Sequence, residues 1–258
     1  MAAGGHDAHL LHRPGSSPVH RLPPEVKIAA AVAFTVAVVG TPRTAFWAFG
    51  AYAGLVGLVA AAARVPPGWL LRRAGIELPF VALAFALPFL AAGERVQWAG
   101  LSLSVEGLLG GWNILAKATL GLLASLLLVG TTTVRDLILG LDRLRCPPAL
   151  IQIATFMLRY LDVLAGEARR MRVARLARGD DPRFLWQAGA FAAGLGGLFL
   201  RGYERGERVW LAMRARGWTG TLPAAWHEAG RATARQWSVA ATVPAAAAVV
   251  AVTALVTA

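Results

Sequence analysis

Repeated stretches of this chain run almost without charge for about as long as the ~20 residues a helix needs to cross a bilayer. Residues 26–40, 45–63, 75–92, 107–130 and 237–256 are of this kind. No water is available inside lipid to satisfy backbone N–H and C=O groups, so such stretches are read as transmembrane helices. The composition agrees: 57% of the 258 residues are hydrophobic and only 16% are charged, outside the range of a soluble domain. The expected fold is an all-α integral membrane protein with about five transmembrane helices, in a range of four to six. The first apolar stretch is short and is closed by Thr41-Pro42-Arg43, so with 45–63 it should form a tight hairpin. A basic break containing Arg64, Pro66, Pro67, Gly68, Arg72 and Arg73 precedes the third, which holds Pro79 and Pro88, and a polar loop at 93–106 follows it.

Charge supplies an orientation. The net charge is +12, carried by 24 Arg and 2 Lys, and 17 of these 26 cations fall between residues 135 and 235. With the N-terminus inside, the cytoplasmic loops receive Arg13, Arg21, Lys27, Arg64, Arg72, Arg73 and the basic region after Thr133, while the outside receives Arg43 and Arg95. The positive-inside rule therefore predicts a cytoplasmic N-terminus. The polar first 25 residues, with Pro14, Pro18, Pro23 and Pro24, do not read as a cleavable signal peptide.

Between residues 131 and 220 the pattern changes. Residues 135–144 carry Leu137, Ile138, Leu141 and Leu144 at helical spacing opposite Asp136, Asp142 and Arg143, the signature of a short amphipathic helix stopped by Cys146-Pro147-Pro148. Two long helices are expected next, over 149–178 and about 186–216. Each begins apolar, ends basic and stops at the same tripeptide, Ala177-Arg178-Gly179 and Ala215-Arg216-Gly217. At 1.5 Å per residue each is ~45 Å long, more than a perpendicular crossing needs. A helix that begins in lipid and ends in Arg-rich water should be steeply tilted or emerge from the bilayer. Glycine after the last turn lets the chain leave at once, so that the arginine projects. One reading of these ends is a pair of clusters binding anionic lipid headgroups. The repetition of the tripeptide on two helices of matching polarity favours docking onto an acidic cytoplasmic partner.

Catalytic machinery is missing from the sequence. There is no GxxxxGK[ST] phosphate loop, GxSxG or HExxH, and nothing recommends nucleic acid as a partner. Cys146 has no second cysteine and no metal-ligand spacing around it; His6, His9, His12 and His20 lie in the polar tail. The chain is read as no enzyme, with no cofactor and no metal. Apart from Lys27 at the very start of the first stretch, two charges stand within apolar stretches, where they are expensive and call for a partner: Lys117 and Glu77. Both are candidate subunit contacts; in a self-sufficient permease they would instead line a path.

The sequence resembles the transmembrane coupling (T) component of energy-coupling factor transporters, in particular the CbiQ type of cobalt importers. The resemblance rests on VHRLPPEVK before the first span, ELPF at 77–80, WNILAKATLG at 112–121, FMLRYLDVL at 156–164 and ERGERVWLAMRARGW at 204–218. It implies two long crossing coupling helices on the cytoplasmic side. Arg178 and Arg216 would each enter a groove on one subunit of a cytoplasmic ABC ATPase dimer, with Ala177, Gly179, Ala215 and Gly217 permitting close approach. The ATP-driven motion would pass to a substrate-binding membrane (S) subunit, with cobalt the preferred cargo and nickel or a vitamin the alternatives. It also implies a multi-pass protein of the bacterial inner (plasma) membrane. The domain expectation is a tail at 1–25, a transmembrane bundle at 26–130, a coupling region at 131–220, and a linker with the last transmembrane helix at 221–258.

Overall fold

The computed structural model describes residues 13–91, 95–98, 101–179, 189–218, 220 and 231–257. In chain order they form α1 (Pro24–Gly40), α2 (Phe46–Ala62), α3 (Pro67–Arg73), a 3-10 turn (Ala74–Glu77) and α4 (Leu78–Leu90). A small antiparallel hairpin follows, β1 (Arg95–Trp98) and β2 (Leu101–Ser104), with Arg95 opposite Ser104 and Trp98 opposite Leu101. Then come α5 (Val105–Thr131), α6 (Val134–Arg143), α7 (Pro148–Ala177), α8 (Gly189–Ala215) and α9 (Ala234–Thr257).

The architecture is that of an all-α integral membrane protein, and five helical stretches are long and apolar enough to cross a bilayer: Phe46–Ala63, Pro67–Leu90, Val105–Thr131, Pro148–Ala177 and Ala234–Thr257. The number matches expectation, but the set does not. At 17 residues α1 is ~26 Å long and falls just short, whereas the apolar start of α7 qualifies. The basic break at 64–73 is also partly helical. Pro66 and Pro67 open α3, where a missing N–H costs nothing, and Arg72 and Arg73 end it. Pro79 likewise sits in the first turn of α4, and Pro88 alone is interior. The stretch read as a polar loop contains the hairpin.

The described residues divide into two compact units, one from His9–Leu144 with Gly230–Ala258 and the other from Arg145–Ala229. In the first, α1 packs on α9, α5 and α6, α4 packs on α5, and α2 touches α5 and α9. Apolar packing has no hydrophobic drive where lipid competes, so close fit and polar contacts between helices decide such a bundle. The closest fit is α4 on α5. A Cβ placed on Gly107 would lie 2.5 Å from the Leu87 carbonyl oxygen, and one on Gly111 would lie 2.6 Å from that of Ala84. This small-xxx-small pair lets two backbones touch. At the centre, the buried Tyr52 hydroxyl meets that of Thr41 at 2.7 Å and donates to the Ala247 carbonyl at 3.4 Å, tying α2 to α9.

A second polar tie gathers the N-terminal end of α1. Arg143, at the end of α6, donates to both oxygens of the buried Glu25 at 3.0 and 3.3 Å, and the Ala232 N–H donates to the same carboxylate at 2.9 Å. α6 begins on a capped turn: the Thr133 hydroxyl accepts from the Asp136 N–H at 3.1 Å. It lies so close to α1 that a Cβ on Gly140 would meet Ile28 at 2.7 Å and the backbone of Pro24 and Glu25 at 3.0 Å.

The second unit holds α7 and α8. Glu167 accepts from Arg201 at 2.9 Å and lies 3.8 Å from Arg205, the Arg175 guanidinium covers the Phe191 ring at 5.5 Å, and Leu164 packs at Gly202. Partners on α8 fall from 201–205 to 191 as positions on α7 rise from 164–167 to 175. The two helices therefore cross antiparallel.

Candidate functional site

The two tripeptides close their helices in the same way. Ala177 is the last residue of α7 and Ala215 the last of α8. The glycine that follows each arginine is left-handed, with φ +80° at Gly179 and +78° at Gly217. Its N–H returns to the helix, from Gly179 to the Leu176 carbonyl at 3.0 Å and from Gly217 to the Arg214 carbonyl at 3.0 Å. At the second end the Trp218 N–H also reaches the Met213 carbonyl at 3.0 Å, which completes a Schellman cap. Nothing lies within 4 Å of a Cβ at either glycine. Glycine is required here by backbone conformation, which L-residues adopt at a cost of ~1–2 kcal/mol, and not by crowding.

Arg178 and Arg216 sit on these caps and are exposed; their backbone N–H groups bond back to the Arg175 and Met213 carbonyls, while their guanidinium groups have no hydrogen bond or ion pair to another described residue. The arginines just before them are engaged at home: Arg175 over Phe191 and, at 5.1 Å, Arg214 over Trp210. Because α7 and α8 run antiparallel, the two free guanidinium groups stand at opposite ends of the helix pair. The spacing from the crossing near Glu167 to each tip corresponds to ~40 Å between tips at most, at 1.5 Å per residue. Such a pair offers two separate carboxylate-binding forks, and no bond-making chemistry.

The two intramembrane charges resolve differently. Lys117 donates to the Val39 carbonyl at 2.8 Å, so it caps the C-terminal end of the short α1. The last carbonyls of a helix lack partners inside it, and in lipid that lack is costly. Glu77, buried at the junction of the 3-10 turn and α4, accepts from the Thr119 hydroxyl at 2.7 Å. Lys117 and Thr119 are two residues apart on α5, hence ~200° apart around it. The lysine and the glutamate thus face different sides of that helix and do not line one path.

Sequence reasoning missed Glu25 and Arg143 as a buried pair, and Glu167 as the ion-pair centre of the α7–α8 crossing. The glycines of α8 do not bring backbones together: Cβ atoms at Gly194, Gly197 and Gly202 would meet Met171 or Leu164 at 3.7–4.0 Å, ordinary contact. The visible signal for close approach was Gly107-x-x-x-Gly111. His6, His9 and His12 lie outside the described residues. His20 is held by the Ser17 hydroxyl at 2.6 Å and the Arg13 carbonyl at 3.1 Å. Among the described residues no group of three His, Cys, Asp or Glu side chains is placed to hold a metal.

Comparison with known proteins points one way. Residues 15–225 match the family model of the cobalt transport protein CbiQ. The energy-coupling factor transporter transmembrane protein EcfT of Acidaminococcus fermentans is 30% identical over 222 residues, covering 80% of this chain and 81% of that protein. The EcfT of Bacillus selenitireducens is 29% identical over 80% of this chain and 82% of its own. The cobalt transport protein CbiQ of Rhodobacter capsulatus is 30% identical over 62% of this chain and 64% of its own.

Proposed function

The chain belongs to the CbiQ family of cobalt transport proteins, and we propose that it is the coupling subunit of an energy-coupling factor importer, driven by separate cytoplasmic ATPases. A multi-pass membrane component of such a transporter is the coarse function. The finer reading concerns how energy enters it. The single observation that carries it is the pair of exposed arginines, Arg178 and Arg216, on identical left-handed glycine caps at opposite ends of an antiparallel helix pair. Two equivalent tips set apart suit two equivalent grooves, one on each subunit of an ATPase dimer. The absence of a phosphate loop from the sequence fits a protein that receives ATP-driven motion from elsewhere.

Geometry also constrains the placement. Antiparallel helices standing across a membrane would put their two C-terminal ends on opposite sides. For both arginines to meet one cytoplasmic partner, α7 and α8 must lie along the membrane face, a stronger tilt than the sequence suggests. Such a pair buries its apolar side in lipid or against a second membrane subunit. Leu150, Ile153, Met157 and Leu161 on α7 and Leu195, Phe199 and Tyr203 on α8 are each at least half exposed and recur at helical spacing. They are the surface on which a substrate-binding subunit would ride. The positive-inside count favours a cytoplasmic N-terminus, and the family resemblance favours the inner (plasma) membrane of a bacterial cell. Cobalt is the cargo favoured by the family match and by the Rhodobacter capsulatus relative.

Charge reversal tests the docking. Arg178→Glu and Arg216→Glu should each release ATPase from complexes purified through this chain, and Arg178→Lys should weaken it too, because a point charge does not replace a bidentate fork. Full retention of ATPase by all three variants overturns the reading. Binding through headgroups alone predicts that Arg178→Lys is harmless.

A further inference from the structure

Two adjoining cavities in the larger unit have complementary character. The first, about 510 Å³, lies among α1, α2, α5 and α9 and is walled almost wholly by aliphatic residues. Alanines create it: Ala30 and Ala31 on α1, Ala62 on α2, Ala124 on α5 and Ala240 on α9 stand where larger side chains would close the bundle. The second, about 260 Å³, is polar and shares Leu22, Lys27 and Thr131 with the first. The volume of the first is that of a small-ligand site, and away from Lys27 and Thr131 at the shared end its lining offers only apolar contact.

The polar cavity holds three groups with capacity left over. Lys27 is buried and donates to the Thr131 carbonyl at 2.9 Å and the His20 carbonyl at 3.4 Å, which leaves the third ammonium proton. The Thr132 hydroxyl is buried with no hydrogen-bond partner among the described residues. Asp136 takes the Thr133 hydroxyl on Oδ2 at 2.6 Å and faces the Lys27 charge, while no hydrogen bond from another described residue reaches its Oδ1. His20 contributes nothing further, since both its ring nitrogens are already engaged. A cation with a spare donor, an orphaned hydroxyl and a carboxylate with a spare oxygen thus line one pocket at the end of an apolar slot.

We propose that this pair of cavities is a lipid site for a phospholipid with a primary ammonium headgroup, phosphatidylethanolamine being the type. One acyl chain fills the apolar cavity, the phosphate accepts from Lys27 and Thr132, and the ammonium donates to Asp136. Charge complementarity selects this occupant. A purely anionic headgroup would leave Asp136 facing negative charge, and a quaternary ammonium has no proton to give it. The site stands on the larger unit alone and does not depend on the docking of Arg178 and Arg216.

The test is lipid retention. Full-length protein, purified in mild detergent from membranes holding both phosphatidylethanolamine and phosphatidylglycerol, is delipidated stepwise and its bound lipid measured by native mass spectrometry. One phosphatidylethanolamine per chain should persist, enriched roughly fivefold over phosphatidylglycerol, about the factor that a single headgroup charge contributes. Ala124→Phe, which fills the slot, should abolish retention of either lipid. Asp136→Asn should erase the enrichment while the lipid itself stays, a result that misfolding would not give. Equal retention of the two lipids by the native chain, or unchanged retention in Ala124→Phe, overturns the proposal.

Discussion

The larger unit turns its polar groups inward, and the smaller one turns its decisive groups outward. In the bundle, charges in or beside apolar stretches are matched within the fold: Lys117 on the Val39 carbonyl, Glu77 on Thr119, and Glu25 on Arg143 and Ala232. In the α7–α8 pair the crossing is treated in the same way, through Glu167 with Arg201 and Arg205. The tips, by contrast, leave their arginines exposed on caps that make the backbone rigid. The difference separates what holds the protein together from what it offers to another. Substitutions in the first unit should be read in stability, and those at the tips of the second in partner retention.

The largest effect is expected where backbones touch. Gly111→Leu would drive a side chain into the Ala84 carbonyl, so α4 and α5 must part; a loss on the order of 4 kcal/mol, seen as failure to purify as a monodisperse protein, is expected. Gly196→Ala on α8, with nothing within 4 Å, should lose no stability and gain up to about 1 kcal/mol from helix propensity. Equal melting of the two variants would erase the contrast between the units.

Next comes Arg143→Met, which leaves the Glu25 carboxylate buried with the Ala232 N–H as its remaining partner. Removing one member of a buried pair costs ~3–5 kcal/mol; with Arg143 12% exposed, about 3 kcal/mol is expected in a thermal or denaturant melt. Because Glu25 joins the end of α6 to the start of α9, this pair grips the chain where it leaves the bundle toward α7 and where it returns. A melt unchanged within 0.5 kcal/mol, the usual range for surface changes, would show the pair to be ornamental.

Gly179→Ala and Gly217→Ala should separate the two readouts. Each forces an L-residue into the left-handed region at about 1 kcal/mol, local to a helix end. The bundle's melting should barely move, while ATPase retention drops several-fold because the arginine's platform is altered. A shift in melting with retention intact would invert the assignment of the two regions.

How much of this was legible follows from the physics of each signal. Membrane-length apolar runs and helix-stopping glycines are local, so α2, α5, α9 and both caps could be read directly. The helical α3 was obscured by Arg72 and Arg73, cations that suit a helix C-terminus as well as a loop. The hairpin at 95–104 is held by pairing between two short segments, which no single segment announces. The Glu25–Arg143 pair joins residues 118 apart and has no periodic signature. The tips were legible as a repeated motif; their opposed directions were not, because the antiparallel crossing is a tertiary fact set by Glu167, Arg201 and Phe191.

The smallest effect should come from Lys117, the residue whose charge looked most functional in the sequence. As the cap of the Val39 carbonyl, its replacement by Met removes one charge-assisted hydrogen bond at the end of α1 and keeps most of the stem's packing. About 1 kcal/mol of stability should be lost, and uptake by the assembled transporter should stay within about twofold of the parent, since 1 kcal/mol leaves the folded population nearly unchanged. A permeation path through this chain predicts the opposite pattern, with melting preserved and uptake abolished. The ~200° between Lys117 and Thr119 on α5 argues against that path, because Glu77 answers to Thr119 on the far side. Measuring melting and uptake on one Lys117→Met preparation decides whether the bundle's charges are all structural or whether one of them faces the cargo.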